Sequence, residues 1–252
     1  MKKIFKLTTI ALMSCSAYVY AGEMGVVGDA VSPLTSFFVF EGGYTWNKIQ
    51  GFDFTTLAPD GRIRSSEKKQ GATGRIGAGM MHSFNDNFAV STEIGYGYYG
   101  RTTLNPVLTG FVANVNLPAS LVIKQNISGF DALAGVAYLD PEYCYSVFLK
   151  AGALVQNVNT NTTAHFFPLG IAALNGSLNQ KMNHTGVLPE VKIGGGYYFD
   201  NNWALIASYV HAFGASPKTT GTINFANLNS SITINRENPS LNTVLVGVQV
   251  VV

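Results

Sequence analysis

Seven ionisable residues in this 252-residue chain are spaced so that each falls on the same side of a β-strand. Four are acids and three are bases: Glu41, Arg75, Glu93, Asp131, Lys150, Glu190 and Lys192. Charges removed from water must be paired, so the set predicts a network of ion pairs. Two interpretations are open: a polar core that fills the interior and sets the strand register, or a gate or path for protons or ions. We favour the polar core.

Histidine and serine occur together at two places where a nucleophile could be activated. His211 lies five residues before Ser216, and His82 precedes Ser83. A lipid-modifying enzyme would need such a pair at a lipid-facing rim, because the imidazole must take the proton of the hydroxyl. Neither pair lies in a recognisable catalytic motif, and we expect no enzymatic activity. His165 and His184 have no acids or cysteines at ligand spacing, so no metal ion or cofactor is expected.

The elements that must position these residues are eight segments with a period of two. They are 36–47, 72–84, 88–100, 127–139, 143–156, 186–199, 203–213 and 241–252. Large apolar side chains occupy one face of each segment, and glycine, small or charged residues occupy the other. Pro189 is expected to mark a strand edge or a bulge. Short turns alternate with long connections at 48–71, 101–126, 157–185 and 214–240.

The aromatic residues indicate a membrane. Aromatic side chains flank each short turn, at Phe84 and Phe88, Tyr138 and Tyr145, and Phe199 and Trp203. Tilted spanning strands need about 9–11 residues, and aromatic rings settle at the headgroup level. The fold class predicted is all-β: an antiparallel up-and-down transmembrane β-barrel of eight strands. A soluble barrel would carry its large apolar side chains inside. Side chains fill a barrel this narrow, so we expect a plugged lumen.

The N-terminus predicts secretion. Residues 1–21 combine lysines, a short apolar core and a small residue at the cut, as in a cleaved signal peptide. Residues 22–34 are then a short periplasmic lead-in and residues 35–252 the barrel domain; an alternative reading has Cys15 lipidated. Losing three signal lysines lowers the 16 basic residues to 13, against 14 acids. This balance gives no indication of nucleic-acid binding. Cys144 is then the remaining cysteine, which excludes an intramolecular disulfide.

Two glycine-rich strand segments, 95–100 and 194–199, and the alternating segment 244–252 carry a family resemblance. With the signal and the strand pattern, the chain resembles the OmpA-like and opacity-type small outer-membrane β-barrels. The resemblance implies an integral protein of the outer membrane of a Gram-negative bacterium. It also implies that the outer-membrane assembly machinery recognises the last strand, at Gly247, Val248, Val250 and Val252. Val252 stands where the family usually has phenylalanine.

The long connections are predicted to be extracellular and to carry the function. Connection 48–71 is basic and could meet lipopolysaccharide phosphates, or be a solvated charge run, through Arg62, Arg64, Lys68 and Lys69. Connections 101–126 and 157–185 are apolar, so they either bind a ligand or a host surface, or extend the strands above the membrane. Connection 214–240 reads as a polar hairpin. The expected partners are outer-membrane lipids, lipopolysaccharide, the assembly machinery and a surface ligand.

The sequence therefore favours a structural or surface-interaction protein. The alternatives are a small-solute channel, if parts of the long connections are spanning strands, and a lipid-modifying enzyme.

Overall fold

The structure is a computed structural model, and it describes residues 34–49, 67–85, 87–104, 107–112, 115–166, 176–200, 202–225 and 230–252. The chain divides into two units, Met1–Ser32 and Pro33–Val252. The predicted signal peptide, Cys15, Arg62 and Arg64 lie outside the described residues. The described strands of the second unit form a nine-stranded sheet and a two-stranded sheet.

Extended backbone dominates the described residues, as the period of two predicts. The strands are β1 (Leu34–Ile49), β2 (Glu67–Ser83), β3 (Phe88–Leu104), β4 (Val107–Val112), β5 (Val115–Asp140), β6 (Tyr145–Phe166), β7 (Gly176–Asp200), β8 (Trp203–Ala212), β9 (Ala215–Phe225), β10 (Ser230–Asn238) and β11 (Ser240–Val251). No helix in these ranges has the length and apolar character that a membrane crossing requires.

Eight of these strands close into a barrel. Antiparallel pairing runs in the order β1, β2, β3, β5, β6, β7, β8 and β11, and β11 pairs back onto β1. The predicted eight-stranded up-and-down barrel is therefore confirmed. β4 pairs with the first part of β5, and β9 pairs with β10 as a separate hairpin. We call the end with the turns β2–β3, β5–β6 and β7–β8 the short-turn end, and the opposite end the long-connection end.

Three strands are much longer than predicted. β5, β6 and β7 have 26, 22 and 25 residues, whereas β8 has 10 and β11 has 12. The predicted loops 101–126 and 157–185 are therefore strand over most of their length, because β5–β6 and β6–β7 pairing continues to Phe166. This agrees with the alternative that these segments extend the strands. Threonine and asparagine in these segments keep the alternation and leave every backbone group free to pair. The sheet of β4 to β7 thus projects beyond the other strands at the long-connection end.

Two local features adjust the strands there. β7 stays paired with β6 through Pro189, but β8 ends beside it, where the Phe213 amide donates to the Pro189 carbonyl at 2.9 Å. β3 contains one extra residue between Tyr98 and Arg101, at Gly100, whose φ is 97°. Glycine adopts this left-handed conformation without strain, so a β-bulge forms here. Up to Tyr99 the odd-numbered residues of β3 are buried, and beyond the bulge the even-numbered ones are. Arg101 is therefore exposed and Thr102 is buried.

The close approach of β1 and β11 depends on Gly43. A Cβ atom on Gly43 would lie 1.9 Å from the Val244 carbonyl oxygen, so β1 and β11 could not keep their spacing. The neighbouring Gly42 faces outward, and its nearest atom would be 4.0 Å away. These two adjacent glycines therefore make a matched pair for testing the closure.

We expect Gly43→Ala to lower the free energy of unfolding by about 1–3 kcal/mol or to prevent closure, because overpacking forces the backbone to move. Gly42→Ala should fold like the wild type. Guanidinium titration of each barrel in lipid vesicles, followed by tryptophan fluorescence, measures the difference. Equal stabilities of the two variants would contradict the assigned β1–β11 packing.

Candidate functional site

The centre of the barrel interior is organised around Arg75 on β2. Its guanidinium contacts three buried carboxylates: Nη1 lies 2.8 Å from Glu41 Oε2 and also contacts Glu93, and Nε lies 2.8 Å from Asp131 Oδ2. Nη2 donates to the second oxygen of Asp131, so that pair is bidentate. A Cβ atom on Gly95 would lie 2.5 Å from Arg75 Nη2, so the lack of a side chain there leaves room for the guanidinium.

Two lysines complete the network. Lys150 Nζ donates to Glu93 Oε2, and Lys192 Nζ lies 2.8 Å from Glu41 Oε2 and 3.1 Å from Glu93 Oε1. Ser208 on β8 donates to Glu41 Oε1 at 2.9 Å. Lys150 also lies over two aromatic rings, with Nζ 4.9 Å from the Phe37 centroid and 5.0 Å from that of Phe148. The contacts join seven of the eight barrel strands, all except β11.

Glu190, the seventh predicted residue, lies outside these contacts. Its side chain is buried, and neither of its oxygens accepts a hydrogen bond from a described residue. The charges that act on it come from Asp131, Arg75, Lys192 and Glu93. The three bases already bind three other acids, so Glu190 has no counter-charge of its own. The structure therefore brings six of the seven predicted residues together and leaves one apart.

Apolar clusters lie on both sides of the charges in the lumen. Toward the short-turn end, Phe37, Val39, Ala204 and Ile206 pack together. Toward the long-connection end lies a second buried cluster: Tyr99, Ile127, Leu154, Val158, Leu188, Ala212 and Leu241. Sequence reasoning missed Tyr99 and Ser208 as interior residues, although both continue the inward alternation of their strands. The described lumen thus holds two apolar clusters with a charge network between them.

The outer wall has the opposite character. Large apolar side chains point outward and remain exposed, among them Ile94 and Phe130, each 65% exposed. Exposed aromatic residues border this wall near the short-turn end at Phe84, Phe88, Tyr143, Tyr145, Phe199 and Trp203, and near the other end at Tyr44, Tyr98, Tyr209 and Phe213. In β3 the outward apolar residues run from Phe88 to Tyr98, which matches the about 9–11 residues of a spanning strand. Such a surface is stable in lipid and not in water.

A closed antiparallel barrel of even strand number, with an apolar outer wall between aromatic girdles and a polar interior, is the architecture of bacterial outer-membrane proteins. The chain is an integral outer-membrane β-barrel.

Several barrels of known structure are similar to this chain. No family model and no curated protein sequence matches the chain. Among solved structures, Ail, the attachment invasion locus protein of Yersinia pestis, is 12% identical, with 86% of this chain and 99% of Ail covered and a TM-score of 0.38. Neisserial surface protein A is 15% identical, with 85% and 96% covered and a TM-score of 0.37. The N-terminal β-barrel domain of Pseudomonas aeruginosa OprF is 14% identical, with 87% and 98% covered and a TM-score of 0.34.

The histidines of the two predicted histidine–serine pairs, His211 and His82, contact an amide and an aromatic side chain, respectively. His211 Nδ1 lies 2.8 Å from Asn242 Oδ1, which also accepts from the Tyr209 hydroxyl at 2.7 Å. The side chain of Ser216 lies outside the described residues, and the His82 ring packs edge-on against Phe84. Among the side chains that the structure describes, no serine, threonine or cysteine hydrogen-bonds to a histidine, and no three His, Cys, Asp or Glu residues group as metal ligands do.

The predicted assembly signal lies at the closing seam. Gly247 pairs with Glu41, Val248 with Phe40 and Val250 with Phe38. The Val252 backbone exchanges hydrogen bonds with Ser36 at 2.9 and 3.2 Å, and its side chain is exposed. The recognition of this strand by assembly machinery stays a prediction.

We expect Glu41→Gln to lower the free energy of unfolding by about 3–5 kcal/mol, because Arg75 and Lys192 would lose a buried carboxylate partner. Glu190→Gln should not lower it, because that carboxylate has no donor to lose. Unfolding in guanidinium at neutral pH, from the same lipid vesicles, gives both values. Equal losses in the two variants would show that Glu190 is paired like the other acids.

Proposed function

We propose that this barrel is a surface-interaction protein of the outer membrane, with a side-chain-plugged lumen, and that its projecting sheet and long connections contact partners outside the cell. The observation that carries the proposal is the projection of β4 to β7. Strands of 22 to 26 residues exceed the about 9–11 that span a bilayer, so roughly half of this sheet lies beyond the membrane.

The projecting sheet has exposed polar side chains on its outward face, as a sheet surrounded by water does. Four of its described outward residues are exposed and polar: Lys124, Asn126, Asn159 and Asn183. Its inward face is buried at Ile123, Gln125 and Thr162. An amide-rich exposed sheet offers regularly spaced donors and acceptors, which suits a polar surface ligand such as a glycan or an extended peptide. The short-turn end has no comparable projection among the described residues.

A conducting lumen and a catalytic pair at the rim are the two alternative functions. A channel would need a continuous water path, whereas the described lumen holds ion pairs and two buried apolar clusters. A lipid-modifying enzyme would need a nucleophile on a histidine, and the described contacts of His211 are with an amide and an aromatic ring. The plugged interaction protein agrees with both observations.

We expect no discrete conductance steps from the wild-type barrel inserted in a planar bilayer, because ion pairs and two apolar clusters lie in the lumen. Insertion must be verified independently, for example by protease protection of the spanning strands. Reproducible unitary conductance steps from inserted protein would contradict the plugged lumen and support the channel alternative.

The projecting hairpin can be shortened without touching the barrel. Thr162 pairs with Gln180, so replacing residues 163–179 with Asn-Gly would join them by a tight turn. We expect the shortened barrel to fold and insert normally, and cells that display it to lose adhesion to immobilised glycans and extracellular-matrix proteins. A control that replaces Asn85 by Ser at the opposite end should adhere like the wild type. Undiminished adhesion after shortening would contradict the proposed role of the projection.

A further inference from the structure

A group of basic and amide side chains lies on the outer wall where the projecting sheet leaves the membrane. We call it the cation–amide patch, and its members are Arg101, Lys124, Asn126, Asn159, Lys181 and Asn183. All six side chains are exposed. The strand register arranges them in two adjacent rows that cross β3, β5, β6 and β7.

The register places the three cations in two adjacent rows, with Lys124 between Arg101 and Lys181. In one row Arg101 pairs with Asn126, Asn126 with Asn159, and Asn159 with Asn183. In the next row Lys124 pairs with Asn161, and Asn161 with Lys181. Adjacent strands lie about 4.8 Å apart, and diagonal neighbours about 7–8 Å apart. Lys124 therefore lies within side-chain reach of a group that Arg101 or Lys181 also contacts.

The β-bulge at Gly100 is what brings Arg101 into the patch. Odd-numbered residues of β3 up to Tyr99 face the lumen, and the extra residue reverses this alternation. Without the bulge, Arg101 would point into the apolar layer that contains Tyr99 and Leu154. The bulge instead aims the guanidinium at the outer wall, beside Lys124.

Charges elsewhere leave these cations without competitors. None of the three forms an ion pair with an acid that the structure describes. The acids with described side chains lie either in the lumen or at the short-turn end, at Asp140, Glu142 and Asp200. Among the charged side chains that the structure describes on the wall, those at the long-connection end are thus basic and those at the short-turn end are acidic.

The position of the patch identifies the occupant. Directly below it, toward the short-turn end, Phe130, Val155 and Val187 form an exposed apolar row, with Ser128, Asn157 and Thr185 between. A molecule on the patch therefore has apolar wall beneath it and water above it. This is the position of a lipid headgroup whose acyl chains lie along the barrel.

We propose that the cation–amide patch binds the phosphorylated headgroup of a glycolipid in the outer leaflet. Arg101, Lys124 and Lys181 bind phosphate, as guanidinium and ammonium groups do, and the asparagine amides hydrogen-bond to sugar hydroxyls. The proposal rests on the outer-membrane placement of the barrel and adds a ligand class to it. It also differs from the basic connection 48–71, where the sequence alone suggested phosphate contacts.

The test uses the full barrel in phosphatidylcholine nanodiscs titrated with purified lipid A, with bound lipid counted by native mass spectrometry. The variant R101Q/K124Q/K181Q should bind lipid A about tenfold or more weakly than the wild type, because it loses three exposed charge contacts. The control R62Q/R64Q/K68Q removes as many charges from connection 48–71 and should bind normally. Lipid A with its phosphates removed should bind the wild type as weakly as lipid A binds the variant.

Three results would overturn the assignment. The first is equal lipid A binding by the wild type and R101Q/K124Q/K181Q, and the second is an equal loss in the control variant. The third is competition by inorganic pyrophosphate as effective as that of lipid A, which would assign the patch to a soluble anion. Failure of the wild-type barrel to insert in any bilayer would overturn the membrane placement itself, and insertion is measured separately.

Discussion

The contact of the Arg75 guanidinium with three carboxylates is the interaction on which the barrel interior depends. Each carboxylate comes from a different strand, and a one-residue slip of any of them would turn its acid out of the lumen and toward lipid. A buried ion pair contributes little net stability, because desolvation offsets attraction. Its effect here is on register, because one pairing of β1, β2, β3 and β5 brings Glu41, Glu93 and Asp131 to the Arg75 guanidinium.

The rest of the molecule follows from this arrangement. With polar groups paired at the centre, apolar clusters can lie in the lumen above and below, and the outer wall between the aromatic girdles can be apolar. Glycine at inward positions lets strands pass closely, as at Gly43 beside Val244, and makes room for the largest side chain at Gly95. Neither the charge network nor the apolar clusters limit the length of the strands. β5, β6 and β7 are longer than the membrane requires and extend beyond it.

Much of this could be predicted from alternation alone. The eight barrel strands and the inward facing of Glu41, Arg75 and Lys192 follow from a period of two. The pairing of particular acids with particular bases did not follow, because it depends on the stagger between strands, which no local pattern encodes. The lack of a partner for Glu190 could not be predicted either, because Glu190 and Glu93 both occupy inward positions of their strands. The extra length of β5 to β7 was one of two open alternatives, because apolar residues in 101–126 and 157–185 fit a ligand-binding surface as well as longer strands. The Gly100 bulge was missed because glycine is frequent throughout the chain.

The closing seam has a consequence for how the barrel forms. Most neighbouring strands in the ring are also neighbours along the chain, but β1 and β11 meet across a separation such as the 198 residues between Thr45 and Thr243, whose hydroxyls lie 2.9 Å apart. Contacts this distant in sequence are slow to form, because a long chain must be ordered first. Hairpins can assemble early, while β1 and β11 remain open edges able to pair with other chains. Closure of this seam is therefore the step at which folding competes with aggregation.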